Sequence, residues 1–305
     1  VIFDDNDATN NAGDGFDLFA ENTVKDRLDF KIRNSRIDNN GEYGIRVDVQ
    51  ADARVDLDIS GSSVRKNGVN GNGFNPNDGA GATGAAGGIG IHSFQQVDIN
   101  FIATETNISE NIGDGFSVDA ETFFDTLNVN ATFVDSDLNG NTLTGFRSVG
   151  AAFGTYTWTR CDFVGNGTDG ARIISNVDVN DIFNRRVGGQ DIDVVALGND
   201  FQLNGQSGLV LGQGVSASLG SGDVTENFAN EFGGRLDANR SDYGAVNSPA
   251  GNGEDGLKIV QDAGPYLRER ALRRVIQTQG NFFTFNTGDG VDIGHFVATE
   301  GGNVL

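Results

Sequence analysis

A chain of 305 residues with 43 Asp and Glu against 21 Lys and Arg carries a formal charge of −22. That balance argues against nucleic acid or an anionic membrane as a partner, because both demand basic surfaces. The single cysteine, Cys161, excludes an intrachain disulfide and a Cys-based zinc site, and no apolar run is long enough to insert in a bilayer.

The predicted elements follow one phrase: Asn, three variable residues, Gly, then a strand of alternating apolar and polar residues. Its nine copies, in chain order, run from Asn11 to Gly15, Asn40 to Gly44, Asn67 to Gly71, Asn111 to Gly115 and Asn141 to Gly145. They continue from Asn166 to Gly170, Asn204 to Gly208, Asn252 to Gly256 and Asn286 to Gly290. A second alternating strand precedes several copies: LDFKI before Asn40, VDLDI before Asn67, VDINF before Asn111, LNVNATF before Asn141 and DVVAL before Asn204. The shortest repeat spans 25 residues, from Asn141 to Asn166, and the longest 48, from Asn204 to Asn252. The excess is loop. Four insertions are expected, at 72–88, 178–192, 212–251 and 260–275; the third is long enough for a short helix or hairpin, and the fourth holds the basic, helix-prone YLRERALRR.

Each repeat reads as strand, tight corner, strand, and no single repeat can bury its apolar face alone. Stacking closes the core. The expectation is therefore an all-β, right-handed parallel β-helix of about nine coils with loop insertions, forming one domain over residues 1–305. The corner Gly supplies either a left-handed backbone or room for close approach. The repeated Asn supplies a ladder that bonds the main chain of neighbouring coils. Residues after each Gly form one aliphatic column: Phe16 and Leu18, Ile45 and Val47, Phe116 and Val118, Ala171 and Ile173, Leu209 and Leu211, Leu257 and Ile259, Val291 and Ile293. A second column holds Ile37, Val64, Ile108, Leu138, Phe163 and Phe201.

The phrase N-x-x-D-G followed by an apolar strand resembles the repeats of right-handed parallel β-helix proteins. That is the pectin-lyase-like superfamily of pectate lyases, polygalacturonases, mannuronan epimerases and large bacterial surface proteins, and the last group is nearest in style. The resemblance covers Asn11 to Ile293 and implies fold more than function, because the superfamily holds enzymes, adhesins and stalks alike. Its Asp-Pro-His, Gly-His-Gly and Arg-Ile-Lys catalytic patterns are absent. The only two histidines are His92 and His295.

Candidate sites follow from outward positions. Asp56, Asp58 and Asp98 with Asn100 are a candidate Ca²⁺ or acid–base site, against the simpler reading of a solvated acidic face. Arg147 and Arg172 on consecutive coils, in the row Asp17, Arg46, Ser117, Arg147, Arg172, Val210, Lys258 and Asp292, can grip the carboxylates of an acidic glycan. The simpler reading is that they neutralise nearby Asp. Asp14, Asp114, Asp169, Asp255 and Asp289, each just before the corner Gly, form either weak Ca²⁺ sites or backbone-bonded turns, and turns are favoured. Arg268, Arg270, Arg273 and Arg274 can dock on an acidic patch such as Asp4, Asp5 and Asp7, which allows end-to-end self-association; the simpler reading is a solvated helical cap.

With no Met and a start at Val1, the sequence reads as a processed segment of a larger protein. Neither VIFDDND nor GHFVATEGGNVL reads as a cap, so flanking domains or neighbours in an assembly are expected to cover the ends. The expected role is a non-catalytic, extracellular or cell-surface β-helix, acting as stalk, adhesin or filament segment, with Ca²⁺ the only candidate cofactor. The alternative is a carbohydrate-active lyase, hydrolase or epimerase, or a glycan-binding module, using Asp56, Asp58, Asp98, Arg147 and Arg172.

Overall fold

The computed structural model describes residues 1–21, 27–50, 53–68, 86–93, 97–120, 127–150, 152–175, 192–212, 215–220, 229–233, 251–260, 276–279 and 281–293. All regular structure within them is strand, and every ladder is parallel. Nine coils stack to make three walls. The first wall is a nine-stranded sheet from Ile2–Asp4 to Ile276–Thr278, and the third is a nine-stranded sheet from Phe16–Glu21 to Val291–Ile293. Between them lies a narrow second wall of short strands, three in one run and four in another, joined through single bridges at Asp137. The chain is an all-β parallel solenoid, as its repeat predicts.

Two strands per coil were expected, and seven of the nine coils have three, the first and fifth having single bridges at Asp7 and Asp137 in place of the short strand. The short strands, such as Arg36–Asp38, Ser63–Arg65 and Asp162–Val164, escape a periodicity test because three residues carry one inward side chain. Those inward residues are the predicted second column: Ile37, Val64, Ile108, Leu138, Phe163 and Phe201 are all fully buried. The column continues through Phe232 to Phe283. Phe163, Phe201, Phe232 and Phe283 stack face to face, with ring centroids 4.7, 4.9 and 4.8 Å apart and planes within 6°. In the middle coils Phe101, Phe116, Phe133, Phe146, Tyr156 and Trp158 fill the space between the first and third walls. Each such burial is worth roughly 2–3 kcal/mol, which is what lets thin coils persist as a column. In the first column, Val291 and Ile293 of the ninth coil are the exposed members.

All nine predicted asparagines stand in one file between the second and third walls. Asn40 typifies the file: its main-chain N–H and its Nδ2 both donate to Oδ1 of Asn67, at 3.0 and 2.9 Å, while Nδ2 also donates back to the carbonyl of Ala8 at 2.9 Å. The same pattern recurs through Asn111, Asn141, Asn166, Asn204 and Asn252 to Asn286. Among the described residues, the main-chain amide of every ladder Asn from Asn11 to Asn252 is paired, because each side chain supplies the acceptor that its neighbour's backbone lacks.

Of the two uses expected of the corner glycine, close approach is the one observed, and the left-handed backbone falls elsewhere. The corner glycines serve close approach: a Cβ on Gly15 would stand 2.6 Å from the Gly44 carbonyl oxygen, and one on Gly115 only 2.7 Å from Asn141 Nδ2. Positive φ belongs to the residue just before the ladder Asn, as at Asn39, Lys66, Glu110, Gly140, Gly165, Leu203 and Phe285. It is αL that turns the chain through the corner, and several coils accept the strain in a non-Gly residue.

Two boundary expectations are corrected. In the third coil the corner glycine is Gly88, not Gly71: Gly44 N–H donates to Gly87, and Ile45 N–H to Gly88. The insertion thus lies inside the repeated phrase, and Gly71 is outside the described residues. The stretch 212–251 is not wholly an insertion, since it contains two walls of the eighth coil, Val215–Leu219 and Glu231–Gly233. No helix or hairpin is found among its described residues. Residues 178–191 and 261–275 lie outside the described residues, and with them Arg268, Arg270, Arg273 and Arg274.

Candidate functional site

The predicted outward residues of the first wall are in the expected rows, but not in the expected cluster. Register sets Asp98 beside Arg54, Asp56 beside Asn100, and Asp58 between Lys31 and Ile102. Asp56 and Asp98 each have their own polar partners. Arg27 lies 2.9 Å from Asp56, Arg54 lies 3.5 Å from Asp98, and Asn100 and Asn128 donate to Asp56 and Asp98 at 2.9 and 3.1 Å. Among the described residues, no group of three or more His, Cys, Asp or Glu is arranged to hold a metal ion. A shallow trough of about 500 Å³ further along this wall is lined by Thr155, Asp193, Ser216, Ser218 and Gln277, and only Asp193 of these is ionisable.

On the third wall Arg147 and Arg172 do lie side by side in register. Both are engaged. Arg147 donates to Asp119 at 2.7 Å and faces Asp114 at 3.8 Å, and Arg172 donates to Asp169 at 2.6 Å. The corner carboxylates accept main-chain N–H groups from the next coil: Asp14 from Tyr43, Asp114 from Thr144, Asp169 from Ser207 and Asp255 from Asp289, at 2.7 to 3.0 Å. That is a structural use of the recurring Asp. Burial pushes the Asp14 and Asp114 carboxyls up to about 6.

The most unusual chemistry is on the same wall, in coils two to five. Strand register puts Asp48, His92 and Asp119 side by side on three consecutive coils. All three point away from the apolar core, yet each is less than a tenth exposed, as is Tyr43. Gly90 makes the arrangement possible: a Cβ there would stand 2.6 Å from the Tyr43 ring, so only glycine lets that ring lie across the sheet. Tyr43 then meets His92 edge to face, with centroids 5.5 Å apart. Arg46 holds Asp48 Oδ2 at 2.9 Å, and Arg147 holds Asp119 Oδ1 at 2.7 Å. Three further polar atoms, Asp48 Oδ1, His92 Nε2 and Asp119 Oδ2, are buried without a hydrogen-bond partner. Such atoms are costly in a fold, and three of them in one row make it the strongest candidate site among the described residues. Burial holds the His92 imidazole below its ordinary proton affinity, against the pull of Asp119 and Asp48.

Arg147 alone of this cluster was a candidate from sequence. The others were missed because the alternation test assigns His92, Asp48 and Asp119 to solvent, and the register that joins them crosses an insertion of uncertain length. The available signal was the strand GIGIHS, where a Gly lies two residues before a His on the outward side.

No protein-family model, no curated protein and no solved structure matches this chain.

Proposed function

We propose that the chain is a non-catalytic, extracellular β-helix, a stalk or adhesive rod of a cell-surface or filament-forming protein in the style of the pectin-lyase-like superfamily. The observation that supports this reading best is the unbroken Asn file, which joins all nine coils by side-chain bonds as well as by sheet. A member that bears load along its axis needs such continuity, and the charge of −22 keeps it soluble. Single-molecule stretching tests it, together with binding to cells and glycan surfaces. High resistance to extension with retained surface binding is the expected result; easy extension with no binding partner, and no self-association, counts against a stalk or adhesin.

A second reading is favoured by one observation, the Asp48–His92–Asp119 row. Asp48 and Asp119 are two strand spacings apart, about 9.6 Å along the wall, just beyond the roughly 6.5–9.5 Å between acid and base in inverting glycoside hydrolysis, and the row must open to admit water between them. On this reading the chain is a carbohydrate-active enzyme or glycan-binding module for a polysaccharide. Incubation with pectate, alginate and neutral glucans, read by mass spectrometry, separates the two. Shortened or unsaturated products that vanish in Asp119→Asn, but persist in Asp56→Asn, would replace the first reading with the second.

A further inference from the structure

The three partnerless atoms of the buried row pose a chemical question: what satisfies them? Asp48 Oδ1, His92 Nε2 and Asp119 Oδ2 are closed to water, so the closed form has no room at these atoms for a ligand. A proton is small enough. On His92 it turns an acceptor into a donor beside two carboxylates, and it also creates a charged imidazolium in a place with little solvent.

We propose that the Asp48–His92–Asp119 row is an acid-triggered catch, in which uptake of a proton by His92 loosens the outer face of coils two to four. The groups that face His92 set the sign. From the second coil come Tyr43, Arg46 and Asp48; from the fourth, Asp114 and Asp119; from the fifth, Arg147. Asp14 and Asp17 of the first coil, and Glu42 beside Tyr43, complete the charged surroundings. The carboxylates favour the imidazolium, whereas burial and the guanidiniums of Arg46 and Arg147 oppose it, and burial is the largest of these.

The closed row therefore takes a proton less readily than an imidazole in water, whose ordinary value is 6.5. By linkage its stability is complete above that value and is lost as pH falls through the lower value of the closed form. Opening solvates the imidazolium and frees the two carboxylates to pair with it. Asp14 and Asp114 work the other way, because their raised carboxyls favour the closed form as they gain protons near pH 6. The balance makes His92 the trigger and those two carboxyls a counterweight, so an isolated His92 substitution separates them.

The test is a histidine-selective NMR titration of the whole chain from pH 8 to 4.5, with His295→Gln to assign the only other histidine, alongside amide hydrogen exchange corrected for intrinsic rate. The expected result is a His92 midpoint below 6.5 and, across that midpoint, at least a tenfold rise in exchange within Ile45–Gln50, Ile89–Ser93 and Phe116–Ala120. Ile192–Leu197 should not change. In His92→Gln the acid-dependent rise should vanish. Should that variant fail to fold, Asp119→Asn removes the strongest charge that favours protonation and should move the midpoint to lower pH. A midpoint at or above 6.5, exchange that is flat across it, a rise that persists in His92→Gln, or no movement in Asp119→Asn would overturn the proposal.

Discussion

Asn141 illustrates what one ladder residue does. Its Oδ1 accepts two N–H groups from Asn111, and its Nδ2 donates both to Asn166 Oδ1 and to the Ile108 carbonyl. Asn141→Ala strands two buried donors at once. With each stranded group costing about 1–3 kcal/mol, a loss of about 2–5 kcal/mol in urea unfolding is expected; a loss under 1 kcal/mol would show that water replaces the side chain. Asp114 gives the pH dependence. Its folded carboxyl, at about 6, lies above the 3.8 of an exposed Asp, so the native state binds the proton more tightly than the unfolded chain. Its contribution is complete below about pH 4 and is lost as pH rises through about 6, by at most about 3 kcal/mol. Asp114→Asn can still accept from Thr144 and leaves Arg147 paired with Asp119, so its stability should vary less between pH 4 and 6.5, as read by thermal melts. At this scale the Asn file was legible because one residue type repeats at every coil. A parallel file on the other corner was not. There Ser35, Ser62, Thr106, Ser136, Cys161, Asn199, Asn230 and Asn281 hold equivalent places, several with a hydroxyl or thiol donating to the carbonyl two residues earlier. Four residue types meet one requirement, a short side chain with an acceptor, and such a column has no single-letter signature. Cys161 belongs to it as a buried substitute for Ser, with its thiol pushed up to about 12 by burial.

The strands are selected by inward volume more than by propensity. In the second wall the inward position changes from aliphatic Ile37, Val64, Ile108 and Leu138 to aromatic Phe163, Phe201, Phe232 and Phe283. Flat rings at the strand spacing stack in register, as the parallel planes show. Phe201→Ala should cost about 3–5 kcal/mol and Phe201→Leu distinctly less, measured by chemical denaturation. Equal costs would mean that aliphatic bulk does not replace the ring and that stacking carries the contribution. The same wall shows why its strands were unreadable: a three-residue element sits between an αL corner and a ladder Asn, and its period is too short to register. Long strands such as Arg54–Ser60 and Val97–Thr104 were readable, since they alternate buried and outward residues over most of their length. The eighth coil was misread as insertion for a related reason. Its first-wall strand, VSASL, presents Ser and Ala, and lacks the bulky alternation of its neighbours.

At the scale of the molecule, continuity is one-dimensional: among the described residues each coil bonds to the coil before and the coil after, so position along the axis is a count of coils. The repeat made that arrangement legible without any structure, whereas the buried row on the third wall depended on knowing which outward residues become neighbours. One row of that wall runs in register from Asp17 through Arg46, Gly90, Ser117, Arg147, Arg172, Val210 and Lys258 to Asp292, which is eight steps. At about 4.8 Å per step, Asp17 and Arg172 should be about 24 Å apart and Asp17 and Asp292 about 38 Å apart. Spin labels at those pairs, in a Cys161→Ser background, measure the distances directly by pulsed electron resonance. Narrow distributions that grow in proportion to the number of coils are the predicted result; a second distance no longer than the first, or broad distributions at both, would contradict a stack of parallel coils.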